Sequence, residues 1–282
     1  MKHAAVLLAA GRGSRLSEHT EHLPKAILPI GPRSASDKTE TCFLRRQVEL
    51  LEHFKVDPIV VVIGYMHELM RAELAAWAPR VRITINPTPE IETSGSLHSL
   101  QYALREHRDL LDGSRQTLYM DADIVYHRDV LRRLIEAPTG SVALVCDRHR
   151  SSDEEVLIYG TADAPRYIGK GLSEELVQGE RCLGEAVGIV RLAPADQPIA
   201  LKIVDWMIGS PDAPITSLQR RGFGPARKAT EHEELTQRLM HYGRMGAVVF
   251  SGEELPFMEV DTPDEYRFAR SELMPKLVAM EQ

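Results

Sequence analysis

The apolar run Ala4–Ala9 leads, one residue later, into Gly11-Arg12-Gly13-Ser14-Arg15. A strand with no polar face must be covered on both sides, as in a sheet with helices packed above and below. The glycines that follow let a backbone turn its N–H groups toward an anion at close range. Arg12 and Arg15 add fixed positive charge, and a guanidinium can grip a phosphate with two parallel hydrogen bonds. Lys25 follows Pro24, which stiffens its approach and suits it to act as an aimed point charge. The same residues are also compatible with a tight turn carrying surface cations. Lys2 followed by the apolar run also imitates the start of a secretory signal. The run is at the lower limit for such a signal, and a basic, glycine-rich flank is unlike a cleavage site.

Further along, strand-like and helix-like segments alternate. Pro58–Ile63 is β-branched and reads as a second buried strand, with Val81–Ile85, Thr117–Met120 and Ser141–Cys146 as others. Apolar spacing predicts helices over Phe43–Phe54, His67–Trp77, Ser96–His107 and Asp129–Ala137. The alternation predicts an α/β, Rossmann-like mixed sheet, mainly parallel, with helices on both faces. In the second half, Val156–Tyr159, Arg166–Ile168, Ala186–Arg191, Val248–Phe250 and Phe257–Val260 read as strands, and Ile199–Met207, Glu231–Tyr242 and Pro263–Leu273 as helices. Arg148–Glu155 and Pro211–Lys228 read as loops, and Pro32–Thr41 as a polar connection. One domain is expected, with a regular first half (1–146) and a more elaborated second half (147–282). Polar motifs follow the strands, where ligands of such sheets bind.

The composition narrows the function classes. Lys and Arg total 34 against 41 Asp and Glu, a net charge of −7. That argues against a strongly basic nucleic-acid binder and leaves anion binding to a local site. No apolar run reaches the ~18 residues of a membrane span. Cys42, Cys146 and Cys182 form no close pair, which fits the reducing cytoplasm and no disulfide framework.

The phosphate loop is of neither common kind. It lacks GxxxxGK[ST], so a P-loop NTPase is not expected, and GRGSRL is not the dinucleotide fingerprint GxGxxG. LAAGRGSRL with PKAILPI instead resembles the signature of the nucleotidyltransferases that make NDP-sugars and CDP-alcohols. Gly64-Tyr65, TSGSLHSL at 93–100 and DAD at 121–123 fit the same pattern in order. GEAVGI at 184–189 and MEVDTPDEY at 258–266 look most like the phosphocholine cytidylyltransferase branch. The resemblance implies that Leu8, Ala9, Ala10, Gly11, Arg12, Gly13 and Ser14 hold the nucleotide, together with Thr93, Ser94, Gly95, Ser96 and Asp121. It implies catalytic roles for Arg15 and Lys25, and contact between Lys170 and the acceptor phosphate.

Glu259 and Asp261 are two apart on an expected strand and so share a face, as do Asp121 and Asp123. Carboxylates converging from two strand ends suit Mg²⁺. The resemblance assigns the metal to Asp123, Glu259 and Asp261. Thr262-Pro263-Asp264-Glu265 reads as a capping box that starts a helix. Glu185 is either a loop acid or, if buried beside a pocket, a partner for a cationic acceptor headgroup. Glu231, Glu233 and Glu234 read as acids in the first turn of a helix.

The expected reaction is nucleotidyl transfer. An acceptor phosphate or phosphonate oxygen attacks the α-phosphorus of an NTP, CTP by resemblance, and pyrophosphate leaves. The acceptor oxygen is already ionised near neutral pH, so no general base is required. A sugar-phosphate nucleotidyltransferase is the alternative, and a non-catalytic module of the same fold a third. Aromatic residues make up only 6% of the chain, thin material for a trimethylammonium cage.

Overall fold

This computed structural model describes residues 1–87, 91–148, 155–209 and 231–282. Strand β1 (His3–Ala9) is the centre of the molecule. It pairs in parallel with β4 (Ile59–Ile63) on one side and with β6 (Gln116–Asp121) on the other. The strand β5 (Arg82–Ile85) extends this parallel half beyond β4. The apolar run is needed because β1 is covered twice. Ala5, Leu7 and Ala9 face a core formed with α1 (Phe43–His53) and α2 (His67–Trp77), through Leu44, Val48, Leu51 and Met70. Ala4 and Val6 face a second core, with Leu97, Leu100 and Leu104 of α3 (Ile91–Glu106) and Val204 of α6 (Gln197–Gly209). Each Leu or Val side chain so buried is worth roughly 2 kcal/mol.

The other half of the sheet is largely antiparallel. The long strand β11 (Cys182–Leu192) runs against β6, β8 (Ser141–Cys146) and β9 (Val156–Gly160). At the edges, β10 (Pro165–Lys170) pairs with β9, and β12 (Met245–Phe250) pairs in parallel with β8. The expected mixed sheet with helices on both faces is thus present. β6 ends at Asp121, and after a two-residue break the chain continues as β7 (Ile124–Tyr126), paired with β13 (Phe257–Glu259). Glu259 stands opposite Ile124, so the DAD and MEVD motifs are brought side by side.

Two expectations are corrected. Pro32–Thr41 is largely the turn of a hairpin between β2 (Pro29–Pro32) and β3 (Glu40–Cys42). Its polar residues are spent on the turn itself: Asp37 accepts from the Thr39 amide and pairs with Arg33, which also reaches Glu49 of α1. The last helix does not stop at Leu273. α8 (Pro263–Phe268) passes through a π-helical turn over Ala269–Leu273 into α9 (Met274–Met280). Pro275 lies in the first turn of α9, where its missing N–H costs little. The capping box at Thr262 is present with both of its hydrogen bonds. Of the two expected loops, Arg148–Glu155 lies outside the described residues except at its two ends, and Pro211–Lys228 lies wholly outside them.

Arg191 of β11 is fully buried, at 0% exposure. Its guanidinium caps the end of α4 (Arg128–Glu136), donating to the carbonyls of Leu134 at 2.7 Å, Ala137 at 3.0 Å and Gly140 at 3.0 Å, and to that of Pro138. It satisfies carbonyls that the helix end leaves without partners. Arg191→Leu is therefore expected to lower unfolding free energy by about 3 kcal/mol, the scale of several stranded acceptors. Urea unfolding of the two proteins checks this, and an unchanged midpoint would show that water replaces the guanidinium.

Candidate active site

A cleft of about 350 Å³ opens at the carboxyl ends of β1 and β6. The loop from Leu8 to Arg15 forms one wall, and Gly95, Ser96, Asn86 and Ser99 another. Its base carries Lys25, Asp121, Asp123, Lys170, Glu259 and Asp261, with Glu231, His232 and Glu233 at the side. Gly13 has φ +74°, and a Cβ there would lie 2.7 Å from Lys25 Cβ. Glycine at that position lets the loop turn and the lysine pass beneath it.

Lys25 joins three remote segments. Its ammonium donates to Asp123 Oδ2 at 2.7 Å and to Asp261 Oδ1 at 2.8 Å, and its side chain is only 7% exposed. Burial opposes its charge, but the two carboxylates outweigh burial and hold the ammonium above the usual lysine range. Arg15 pairs with the second oxygen of Asp261 at 3.0 Å. Burial alone would raise the Asp261 carboxyl, yet Lys25 and Arg15 bring it below its ordinary value.

Asp123, Glu259 and Asp261 offer carboxylate oxygens within 4.8 Å of one another. Glu259 is the strained member. Burial, then Asp123 and Asp261, push its carboxyl well above the usual range. An all-oxygen set with surplus negative charge and no His or Cys fits a hard divalent cation such as Mg²⁺, not Zn²⁺.

Asp121 is turned away from this set. Its Oδ2 lies 2.9 Å from His232 Nε2. Burial pushes the Asp121 carboxyl up to about 6 against the opposing pull of His232. The imidazole, which burial alone would neutralise, is raised to about 10 by Asp121 and Glu233. Gly188 makes room for this pair: its φ is +70°, and a Cβ there would meet Asp121 Oδ2 at 2.3 Å.

Of the residues singled out in the sequence, Leu8, Ala9, Ala10, Gly11, Arg12, Gly13, Ser14, Arg15, Lys25, Gly95, Ser96, Asp121, Asp123, Lys170, Glu259 and Asp261 all line the cleft. The side chains of Thr93 and Ser94 are outside the described residues. Glu185 is buried at 7% exposure on β11, opposite Cys146 and Leu157, and does not line the cleft. Asn86, Glu231, His232 and Glu233 also line it and have no signature in the sequence, and Ser99, within TSGSLHSL, joins them. Glu231 is more than a first-turn acid: its Oε2 accepts from the Ser96 amide at 2.8 Å and the Ser96 hydroxyl at 2.7 Å. That contact falls just after Gly95, whose non-helical backbone breaks α3.

Comparison with known proteins gives a consistent picture. The model of the MobA-like NTP transferase domain matches residues 5–188. CMP-5'-(3-aminopropyl)phosphonate synthase of Streptomyces rubellomurinus is 27% identical over 96% of this chain and 39% of its own length. The chain thus spans well under two thirds of that relative. Among solved structures, CTP:phosphocholine cytidylyltransferase of Streptococcus pneumoniae superposes with a TM-score of 0.61 at 16% identity, covering 100% of both chains. The inositol-1-phosphate CTP transferase of T. maritima gives 0.66 at 14% identity, over 99% of this chain and 95% of that one. At such identities the structures establish a shared fold. Among the described residues, no helix is long and apolar enough to cross a membrane.

The carboxylate set makes a pH-dependent expectation for the metal-free protein. Glu259 has a raised carboxyl in the folded state, so above the ordinary carboxylate range, about 4.3, the folded state resists losing a proton that the unfolded chain gives up. Stability then falls as pH rises toward the folded value. Glu259→Gln removes this penalty and is expected to stabilise the protein more at about pH 8 than at about pH 5 in chelator. Urea unfolding at both pH values decides it, and an equal effect at both would contradict the crowding of these carboxylates.

Proposed function

The chain belongs to the family of MobA-like NTP transferase domains, and from that premise we propose that it is an Mg²⁺-dependent cytidylyltransferase. It would join CTP to a small phosphate or phosphonate acceptor and release pyrophosphate. The observation that carries this reading is the convergence of Lys25, Arg15, Asp123, Glu259 and Asp261 beneath a glycine-rich loop.

In this reading an acceptor oxygen attacks the α-phosphorus of CTP from the side opposite the pyrophosphate. The new bond forms as the bond from the α-phosphorus to the bridging oxygen breaks, and pyrophosphate leaves with that electron pair. The acceptor oxygen is ionised near neutral pH, and no proton has to be removed from it. The work left to the protein is to align the two phosphorus groups and to stabilise charge as it moves to the leaving group. The loop from Leu8 to Ser14 holds the nucleotide, with Gly95 and Ser96 beside it. Arg15 and Lys25 face the phosphates, and Lys170 lies in position for the acceptor's anionic end. Lys25 would exchange one of its carboxylate partners for phosphate oxygen. Mg²⁺, held by Asp123, Glu259 and Asp261, supplies charge neutralisation for the triphosphate when bound.

The choice of CTP rests on the aminopropylphosphonate relative and on the cytidylyltransferase-like motifs late in the chain. A sugar-phosphate nucleotidyltransferase is the second reading, as one glucose-1-phosphate thymidylyltransferase-like structure from Bacillus anthracis has the same fold. The free thiols of Cys42, Cys146 and Cys182 support a cytoplasmic setting.

Lys25→Ala is expected to lower kcat/KM for pyrophosphate release by about a hundredfold or more, the scale of losing one preorganised charge. Turnover is expected to stop in excess chelator and return with Mg²⁺. Near-normal activity in the variant, or full activity in chelator, would remove the basis of this reading.

A further inference from the structure

Behind Lys170 the cleft continues into a narrow recess of about 40 Å³. Asp121, Lys170, His232, Glu233 and Glu259 line both spaces. The deeper walls are aliphatic, from Ala143, Leu144, Val156, Ile168, Ile189 and Val190. Two buried polar atoms at this site have no hydrogen-bond partner: Oε2 of Glu233 and Nδ1 of His232. They are 3.8 Å apart, beyond hydrogen-bond reach of each other. His232 is almost completely enclosed, its side chain 3% exposed, and that of Glu233 is 17% exposed. His232 is engaged by Asp121 through Nε2 and lies at ion-pair distance from Glu233, whose Oε2 makes no hydrogen bond and can accept one from a ligand. Gly188, with no Cβ, keeps the recess open beside Asp121.

The geometry points to this recess as the subsite for the far end of the acceptor, taking a primary ammonium against Glu233 and excluding a trimethylammonium group by size. The assignment rests on the nucleotidyl-transfer reading above and adds the chemistry of the acceptor to it. Lys170 stands where the cleft passes into the recess, so an acceptor bound by its anionic end at Lys170 projects its other end inward. The ammonium donates to Glu233 Oε2.

Size makes the distinction between amines. A water-sized group needs roughly 10–15 Å³ of such space, so about three heavy atoms fit. An aminomethyl end has two heavy atoms and fits, whereas a quaternary ammonium with its methyls and methylene has five. Among the described residues lining the recess there is also no Trp, Tyr or Phe, the faces that would attract a quaternary cation. Glu185 lines neither space, so the role expected for it from sequence passes to Glu233.

The test compares acceptors of one length, read by pyrophosphate release with CTP and Mg²⁺. The panel is aminoethylphosphonate, its N-methyl and N-trimethyl forms, and hydroxyethylphosphonate. For the unaltered protein, KM is expected to be lowest for the primary amine and to rise with each added methyl. Glu233→Gln is expected to raise KM for aminoethylphosphonate by on the order of tenfold or more, with kcat little changed and no comparable change for hydroxyethylphosphonate. The methylation series needs no variant, so a misfolded Glu233→Gln protein does not remove the test. The assignment is overturned if the trimethyl form is used as well as the primary amine. It is also overturned if the hydroxyl compound is preferred, or if Glu233→Gln raises KM for all acceptors alike, and in each of these cases nucleotidyl transfer stands. If no acceptor of any kind, sugar phosphates included, gives pyrophosphate from any NTP, the underlying reading fails and this assignment fails with it.

Discussion

The buried ammonium of Lys25 is the charge on which the site depends. It binds Asp123, 98 residues away in sequence, and Asp261, 236 residues away. Three carboxylates placed this close would repel one another strongly in a partly dry cleft. The ammonium and the Arg15 guanidinium make the arrangement tolerable, and Glu259 absorbs what charge is left by holding its proton. The strand geometry follows the same demand. β7 and β13 form a small two-stranded ladder whose register sets Glu259 beside the chain that carries Asp123. The C-terminal helices then fasten that ladder to the first part of the chain through Leu16, Leu28, Ile30 and Tyr266.

The same cluster explains why burial and function do not conflict here. A lone buried carboxylate would be costly and would be neutralised. In the proposed function these charges would be re-paired by ligands: phosphate oxygens would replace carboxylates around Lys25, and a divalent cation would take the place of the ammonium between the carboxylates.

Much of this could be read from the sequence because the signals were local. The apolar run, the glycines at 11 and 13, and the Pro-Lys pair lie within one segment, and carboxylates two apart on a strand share a face whatever the fold. The capping box at Thr262 is likewise complete within four residues. What the sequence does not show depends on distant contacts. Glu231, His232 and Glu233 look like ordinary acids and a histidine at a helix start. They become part of the cleft because Ser96 and Asp121, more than a hundred residues earlier, hold them there. Glu185 carries a plausible motif, but its side chain is buried on β11 and is not among those lining the cleft. The hairpin at 29–42 was hidden because its turn consists of polar residues that bond to each other. The final helix runs beyond Leu273 because a π-helical turn over Ala269–Leu273 leads into a further helix whose first turn accommodates Pro275.

In the proposed function this cluster promotes direct attack of an acceptor oxygen on the α-phosphorus of a nucleotide. The most direct test uses aminoethylphosphonate labelled with heavy oxygen in its phosphonate group, with CTP and Mg²⁺, and follows the label by mass spectrometry and phosphorus NMR. Direct attack predicts that the label is found in the CMP-linked product, with one labelled oxygen bridging the two phosphorus atoms, and that the released pyrophosphate carries none. Label in the pyrophosphate, or a product joined through an oxygen that came from the nucleotide, would contradict the account.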